Sequence, residues 1–163
     1  MTMRCNFASS LALILILLLL PGCGDSMRST LAPEHQGRIV AISSIGVAGP
    51  GTSLATQEFI AQGYNVHDLG ASGIDTVESA RRQGLSYVAI VDAVDTSQAV
   101  WNGFYSFAMR VSNATTGSIV WSASGTFGQG GMFINLQSSS KNAMKAMIAD
   151  FAKTFPPVKQ ILH

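Results

Sequence analysis

The chain is 163 residues long, 47% hydrophobic and only 12% charged, with ten Lys and Arg against nine Asp and Glu. That length supports one domain with a proper core. The near-zero charge, with no basic run longer than Arg81-Arg82, excludes a nucleic-acid partner, because neutralising phosphates takes a basic face.

Met1–Asn6 holds one charge, Arg4, and is followed by the apolar run Leu11–Leu20 and by Pro21-Gly22-Cys23. A short basic start, an apolar core and a small residue before the cut form a secretory signal peptide over residues 1–22. The run is short for a bilayer, which takes about 20 apolar residues to cross. A single anchor helix over Phe7–Leu20 is the competing reading, opposed by Pro21-Gly22 and the polar sequence beyond it. Leu20-Pro21-Gly22-Cys23 also resembles the lipobox of bacterial lipoproteins. The resemblance implies cleavage between Gly22 and Cys23, with diacylglycerol and palmitate carried by Cys23. Two or three acyl chains hold a protein on a membrane where one is marginal. Gly24, rather than Asp, after the cysteine implies the outer membrane, facing the periplasm, over the inner one. Cys5 lies in the removed segment and Cys23 carries the lipid, so no thiol remains for a disulfide, a metal site or catalysis.

Residues 23–37 are polar, aperiodic and contain Pro33, and they read as a flexible tether with a solvated His35. Residues 38–155 hold the domain, and 156–163 a C-terminal tail. Arg38–Val47 is rich in β-formers and predicts a first strand. Thr52–Gln62 predicts a helix with Leu54, Ala55, Phe59 and Ile60 on its inner stripe and Gly63 as its stop. Tyr64–Leu69 alternates as a short strand. Ile74–Gln83 predicts a second helix with Ile74, Val77 and Ala80 inward, ended by Gly84. Leu85–Val94 is nearly continuous in apolar residues and predicts a strand covered on both faces. Phe104–Val111 alternates Tyr105, Phe107, Met109 and Val111 against Ser106, Ala108 and Arg110; with Ser118–Phe127 it predicts a hairpin. Ser138–Phe155 gives the strongest helical period, through Met144, Met147, Ile148, Phe151 and Phe155, with a serine cap at Ser138–Ser140 and Pro156-Pro157 as its end. The order β-α-β-α-β-β-β-α is that of an α/β (α+β) single domain with a mixed sheet and helices packed on it.

Gly46 and Gly51-Thr52-Ser53 fall one residue short of a phosphate loop. The lysine that reaches the terminal phosphates is replaced by Thr52, and no basic residue lies between Arg38 and Arg81. The glycines of this corner are expected to turn the chain from strand to helix. Among the three histidines, His35 is in the tether, His163 is terminal and His67 sits on a short strand, so no catalytic triad is assembled. Asp92 and Asp95 differ in strand parity and face opposite ways while the strand lasts. No clustering suits a metal ion. No catalytic residue, metal or cofactor is therefore expected. Asn113-Ala114-Thr115 matches a glycosylation sequon, and Asn113 reads more simply as a hairpin-turn residue. Trp101, with Met132 and Phe133 in the glycine-rich stretch Gly128–Asn135, are the candidate partner contacts, since large aromatics in polar loops anchor interfaces.

Three stretches in order, Phe59–Val66, Ala80–Val91 and Phe107–Ser122, resemble the helix-to-strand steps and the hairpin of CsgG-like and LpoB-like periplasmic lipoprotein domains. The resemblance runs over Arg38–Phe155. It implies a lipid-anchored, non-catalytic module that serves an envelope assembly, secretion or cell-wall machine through a protein partner. The sequence has no set of long alternating strands beyond its core sheet that would cross an outer membrane. Two other readings stand beside this one. One is a homo-oligomeric scaffold or channel component; the other is a small-ligand binder or hydrolase using the Gly128–Asn135 loop.

Overall fold

The computed structural model describes residues 26–70, 75–95, 105–127 and 136–158. They form one mixed α+β domain. Its strands are β1 (Ser26–Leu31), β2 (Ser44–Ala48), β3 (Asn65–Asp68), β4 (Tyr87–Asp95), β5 (Tyr105–Asn113) and β6 (Ile119–Phe127). Its helices are α1 (Thr52–Ala61), α2 (Thr76–Arg82) and α3 (Leu136–Ala152). The sheet order is β1-β6-β5-β4-β2-β3, with β2 parallel to both β3 and β4 and the other pairings antiparallel.

The order follows from two crossovers that run in opposite directions across the sheet, the first from β2 to β3 and the second from β3 past β2 to β4. The chain runs from β2 through α1 to β3 on one side, and returns through α2 to β4 on the other. Right-handed crossovers in opposite directions must use opposite faces. Thus α1 packs with α3 over Val47, Ala89, Val91, Met109 and Ala123. The short α2 covers a smaller patch on the reverse face, where Ala80, Leu85, Val88, Ile90 and Ala114 are buried together.

The expected periodicity of α3 is met by Met144, Met147, Ile148 and Phe151, while the helix ends at Ala152 and leaves Phe155 in the turn beyond it; all five are fully buried. Phe151 stacks on Phe155 with ring centroids 4.9 Å apart and meets Trp121 of β6 at 5.4 Å. Tyr64, at the entry to β3, donates its hydroxyl proton to the Phe155 carbonyl at 2.6 Å, and burial pushes that phenol well above its usual range. At the far side of α3, Asp150 is held by Ser29 of β1, by Lys153 at 2.9 Å and by Trp121. Partial burial acts to raise its pKa, but the three hydrogen bonds and the Lys153 charge outweigh it, so the carboxyl lies below its ordinary 3.8.

Several expectations change. Residues 26–31 are not a tether: they pair with β6 through six residues, from Ser26 opposite Thr126 to Leu31 opposite Trp121. Met27 and Leu31 pack against the core, so even this polar strand has an inner face. His35 is half-buried, 5.1 Å from the Phe155 ring, rather than solvated. The first strand of the β-rich stretch is only Ser44–Ala48. The residues ahead of it pair instead with the C-terminal segment, through Val40 N–H to Thr154 O at 2.8 Å and Ile42 N–H to Pro156 O at 2.9 Å. The segment to Val158 is accordingly part of the domain, since Val158 N–H returns to Ile42 O at 3.1 Å. In α1, Ile60 is 57% exposed; the inner stripe is Thr52, Ala55, Glu58 and Phe59. Glu58, 5% exposed, faces Lys141 of α3 at 3.8 Å. Helix α3 starts at Leu136, which places Ser138–Ser140 inside its first turns instead of at its cap.

Phe151→Ala is expected to destabilise the domain by about 3–5 kcal/mol by leaving a ring-sized cavity, and Tyr64→Phe by about 1–2 kcal/mol through the orphaned carbonyl; urea denaturation measures both. Because the folded pKa of Asp150 lies below the unfolded one, its contribution is complete above pH 3.8 and is lost as pH falls through the folded value. Urea midpoints of Asp150→Asn should show a shallower acid dependence than the parent in that window.

Candidate functional site

The strand-to-helix corner at the C-terminal end of β2 is where an open α/β sheet of this winding ordinarily binds a ligand. Here it is closed. Gly49 N–H donates to Gly70 O at 3.0 Å, Gly51 N–H to Val91 O at 3.1 Å, and Thr52 N–H to Gly49 O at 3.0 Å. The Thr52 hydroxyl also donates to Gly49 O. These three amides of the corner are therefore spent on the fold. Gly49 has φ of +108°, and a β-carbon there would lie 2.3 Å from Val91 O. Its glycine is explained by backbone packing alone.

The hairpin turn is equally committed to structure. Asn113 Oδ1 accepts from Thr115 N–H at 2.8 Å and from Thr116 N–H at 3.1 Å, which organises the turn as a side-chain mimic of backbone. Arg81 ties α2 to this turn, donating from Nε to Ala114 O at 3.0 Å and from Nη2 to Thr115 O at 2.9 Å. The basic pair noticed in the sequence thus has one member with a structural role.

A different surface emerges on the reverse face of the antiparallel half of the sheet. Side chains alternate along strands, and with Phe107, Met109, Val111, Trp121 and Ala123 turned to the core, the opposite set faces out. Register places Arg28, Ser124, Ala108 and Asp92 in one row across four strands. The next row is Thr30, Ser122, Arg110 and Ile90, and on the other side lie Ser26, Thr126 and Ser106. Ser26, Arg28, Thr30, Ala108, Arg110, Ser124 and Thr126 are all exposed. Two adjoining grooves of about 350 and 410 Å³ share Arg28, Asp92, Ala108 and Ser124 as lining. The Arg110 guanidinium stands 4.0 Å from the Asp92 carboxylate, both half-exposed, so this pair contributes little to stability. Small hydroxyl-bearing residues between charged ones make a flat, hydrogen-bonding platform.

Of the residues singled out from sequence, Asp92 lies on this platform and β4 continues to Asp95, so the two positions have opposite parity. His67 is half-buried on β3, opposite Gly46, and takes no part in the platform. Gly22, Cys23, Trp101, Met132, Phe133 and His163 lie outside the described residues. Among the described residues no group of three or more His, Cys, Asp or Glu is placed to hold a metal ion, and no helix is long and apolar enough to cross a membrane. The platform escaped sequence reading because its first row depends on β1. The small polar alternation Ser122, Ser124, Thr126 in β6 was the available signal.

No family model and no curated protein matches this sequence. Among solved structures, the fold is similar to that of PelC from Paraburkholderia phytofirmans, crystallised as a dodecamer, with a TM-score of 0.60 and 18% identity. That likeness covers 77% of this chain and 95% of the PelC chain. The lipoprotein GNA1162 from Neisseria meningitidis overlaps less well, with a TM-score of 0.46 and 15% identity over 68% of this chain and 99% of its own. The LpoB C-terminal domain from Salmonella enterica gives a TM-score of 0.41 and 17% identity, over 58% of this chain and 87% of its own. The shared fold rests on the PelC comparison.

Gly49→Ala is expected to prevent the corner from closing and to lower the melting temperature sharply, because the new β-carbon meets backbone at a left-handed φ. Millimolar ATP or phosphate should leave the melting temperature of the unmodified protein unmoved. A rise with either anion would reopen the phosphate-loop reading.

Proposed function

We propose that this chain is a lipid-anchored, non-catalytic module of the bacterial cell envelope, carried on the outer membrane and facing the periplasm. In this reading it serves an envelope assembly as an accessory protein, and copies associate through the open sheet platform. The platform carries the proposal: a sheet surface of serine, threonine, alanine and charged residues, exposed on β1, β5 and β6, suits protein recognition better than chemistry. Among the described residues Asp92 is the one carboxylate that lines the grooves, and it is already paired with Arg110.

Three further points support the reading. The lipobox at Leu20–Cys23 implies the anchor. The resemblance to CsgG-like and LpoB-like lipoprotein domains implies an envelope role without catalysis. The similarity of fold to PelC, a dodecamer in its crystals, favours the scaffold form of that role over a solitary regulator. A protein partner of a different kind remains compatible with the same surface and would compete with self-association for it.

Light scattering coupled to chromatography on the full-length protein, extracted from membranes in detergent, tests this. The expected result is an assembly of many protomers, each lacking residues 1–22 and carrying acyl mass. Ala108→Trp fills the groove at an exposed position and should leave stability within about 0.5 kcal/mol while reducing the assembly to smaller species. A monomeric parent would overturn the scaffold reading, and an assembly untouched by Ala108→Trp would move the contact to another face.

A further inference from the structure

We propose that the domain stands on the bilayer in one fixed orientation, with the Ser26 end of its sheet against the lipid headgroups and the Ile119 end pointing away. The inference rests on the reading of Cys23 as the acylated residue and takes it further. Strand β1 starts at Ser26, three residues after Cys23. An extended chain covers at most about 3.6 Å per residue, so Ser26 is held within about 11 Å of the acylated residue. A flexible tether over residues 23–37 would have let the domain swing; the strand removes that freedom.

Strand β1 is also well secured to the body of the domain. It makes a ladder of six residue pairs with β6, and the ladder is continued by Ala32 N–H to Val120 O at 2.9 Å. Met27 and Leu31 pack into the core, and Ser29 hydrogen-bonds Asp150 of α3. Peeling β1 away to lengthen the link would break all of these together. Ser26 lies opposite Thr126, which lies opposite Ser106, so the three strand ends share one level. Ile119, at the other end of β6, is seven residues from Thr126, or roughly 23 Å at 3.3 Å per residue. The sheet is therefore long enough to have a membrane-near and a membrane-far end. The polar platform then rises as a wall from the membrane plane, where a neighbour anchored in the same leaflet meets it side-on. The partner at the near end is the lipid surface itself.

Depth-dependent quenching tests the orientation. Once residues 1–22 are removed and Cys23 is acylated, the chain has no other thiol, so Thr126→Cys and Ile119→Cys each give one labelling site. Both positions are exposed, which keeps the label out of the core. The acylated proteins carry a small fluorophore in phosphatidylethanolamine–phosphatidylglycerol vesicles doped with a headgroup nitroxide lipid. Quenching should be several-fold stronger at position 126 than at 119. Inserting about twenty Gly and Ser residues between Asp25 and Ser26 should erase the difference. Equal quenching at the two sites with native spacing overturns the fixed orientation, and so does a difference that survives the insertion. Intact mass measured on the same samples separates the two levels: a chain without acyl mass overturns the lipid anchor and the orientation with it, whereas an acylated chain with equal quenching overturns the orientation alone.

Discussion

Phe151 touches four other aromatic rings, Phe59, Tyr64, Trp121 and Phe155, at centroid distances from 4.9 to 6.2 Å. Those rings belong to α1, the entry to β3, β6 and the end of the α3 segment. One side chain therefore joins parts of the chain that have no local reason to meet. Each such aromatic pair adds about 0.5–1.5 kcal/mol beyond the area it buries. The Tyr64 hydroxyl then finds its acceptor on the Phe155 carbonyl, just beyond the end of α3 at Ala152. With α3 seated, Asp150 is in position to meet Ser29, and the first strand has something to hold.

Two helices sit on one face, and among the described residues α2 is the helix that covers the other. That helix has seven residues and covers Val88 and Ile90 near the middle of the sheet. It has too little length to reach β5, β6 and β1. The sequence of those strands is suited to this: their inward residues are Phe, Met, Val, Trp and Ala, and their outward ones Ser, Thr, Ala and Arg. An antiparallel sheet tolerates one solvated face in this way, where a parallel one seldom does. The platform is thus a product of topology as much as of residue choice.

The parts of the fold legible in the sequence are those whose information is local. The three-and-four spacing of α3 and the alternation of β5 are each contained in a short window, and both appear where expected. The glycine stops also hold, with Gly63 and Gly84 at φ of +96° and +71°. Strand β1 was not legible. The inner side of SMRSTL holds Met27, Ser29 and Leu31, and the polar Ser29 between the two apolar residues hides the strand period; its pairing with β6 is as non-local as any contact in the domain. Ile60 fails for a related reason: helical spacing admits it to the stripe, but the packing of α1 against α3 selects Glu58 instead. The platform depended on knowing both the strand that completes it and the helix that stops short of it, and neither is written in any single window. Cys23, Trp101, Met132 and Phe133 stand out by side-chain chemistry alone, and they lie beyond the described residues.

The pairing of β1 with β6 sets an order of events when the domain forms. Contacts between distant residues close late, because the intervening loop entropy has to be met first. Ser26 can find Thr126 only after β6 has emerged, and Ser29 can find Asp150 only when α3 is in place. The strand over residues 26–31 consequently stays unpaired for most of the time the domain takes to fold. Closure of this ladder then follows as the step that fastens the first strand to a domain already built.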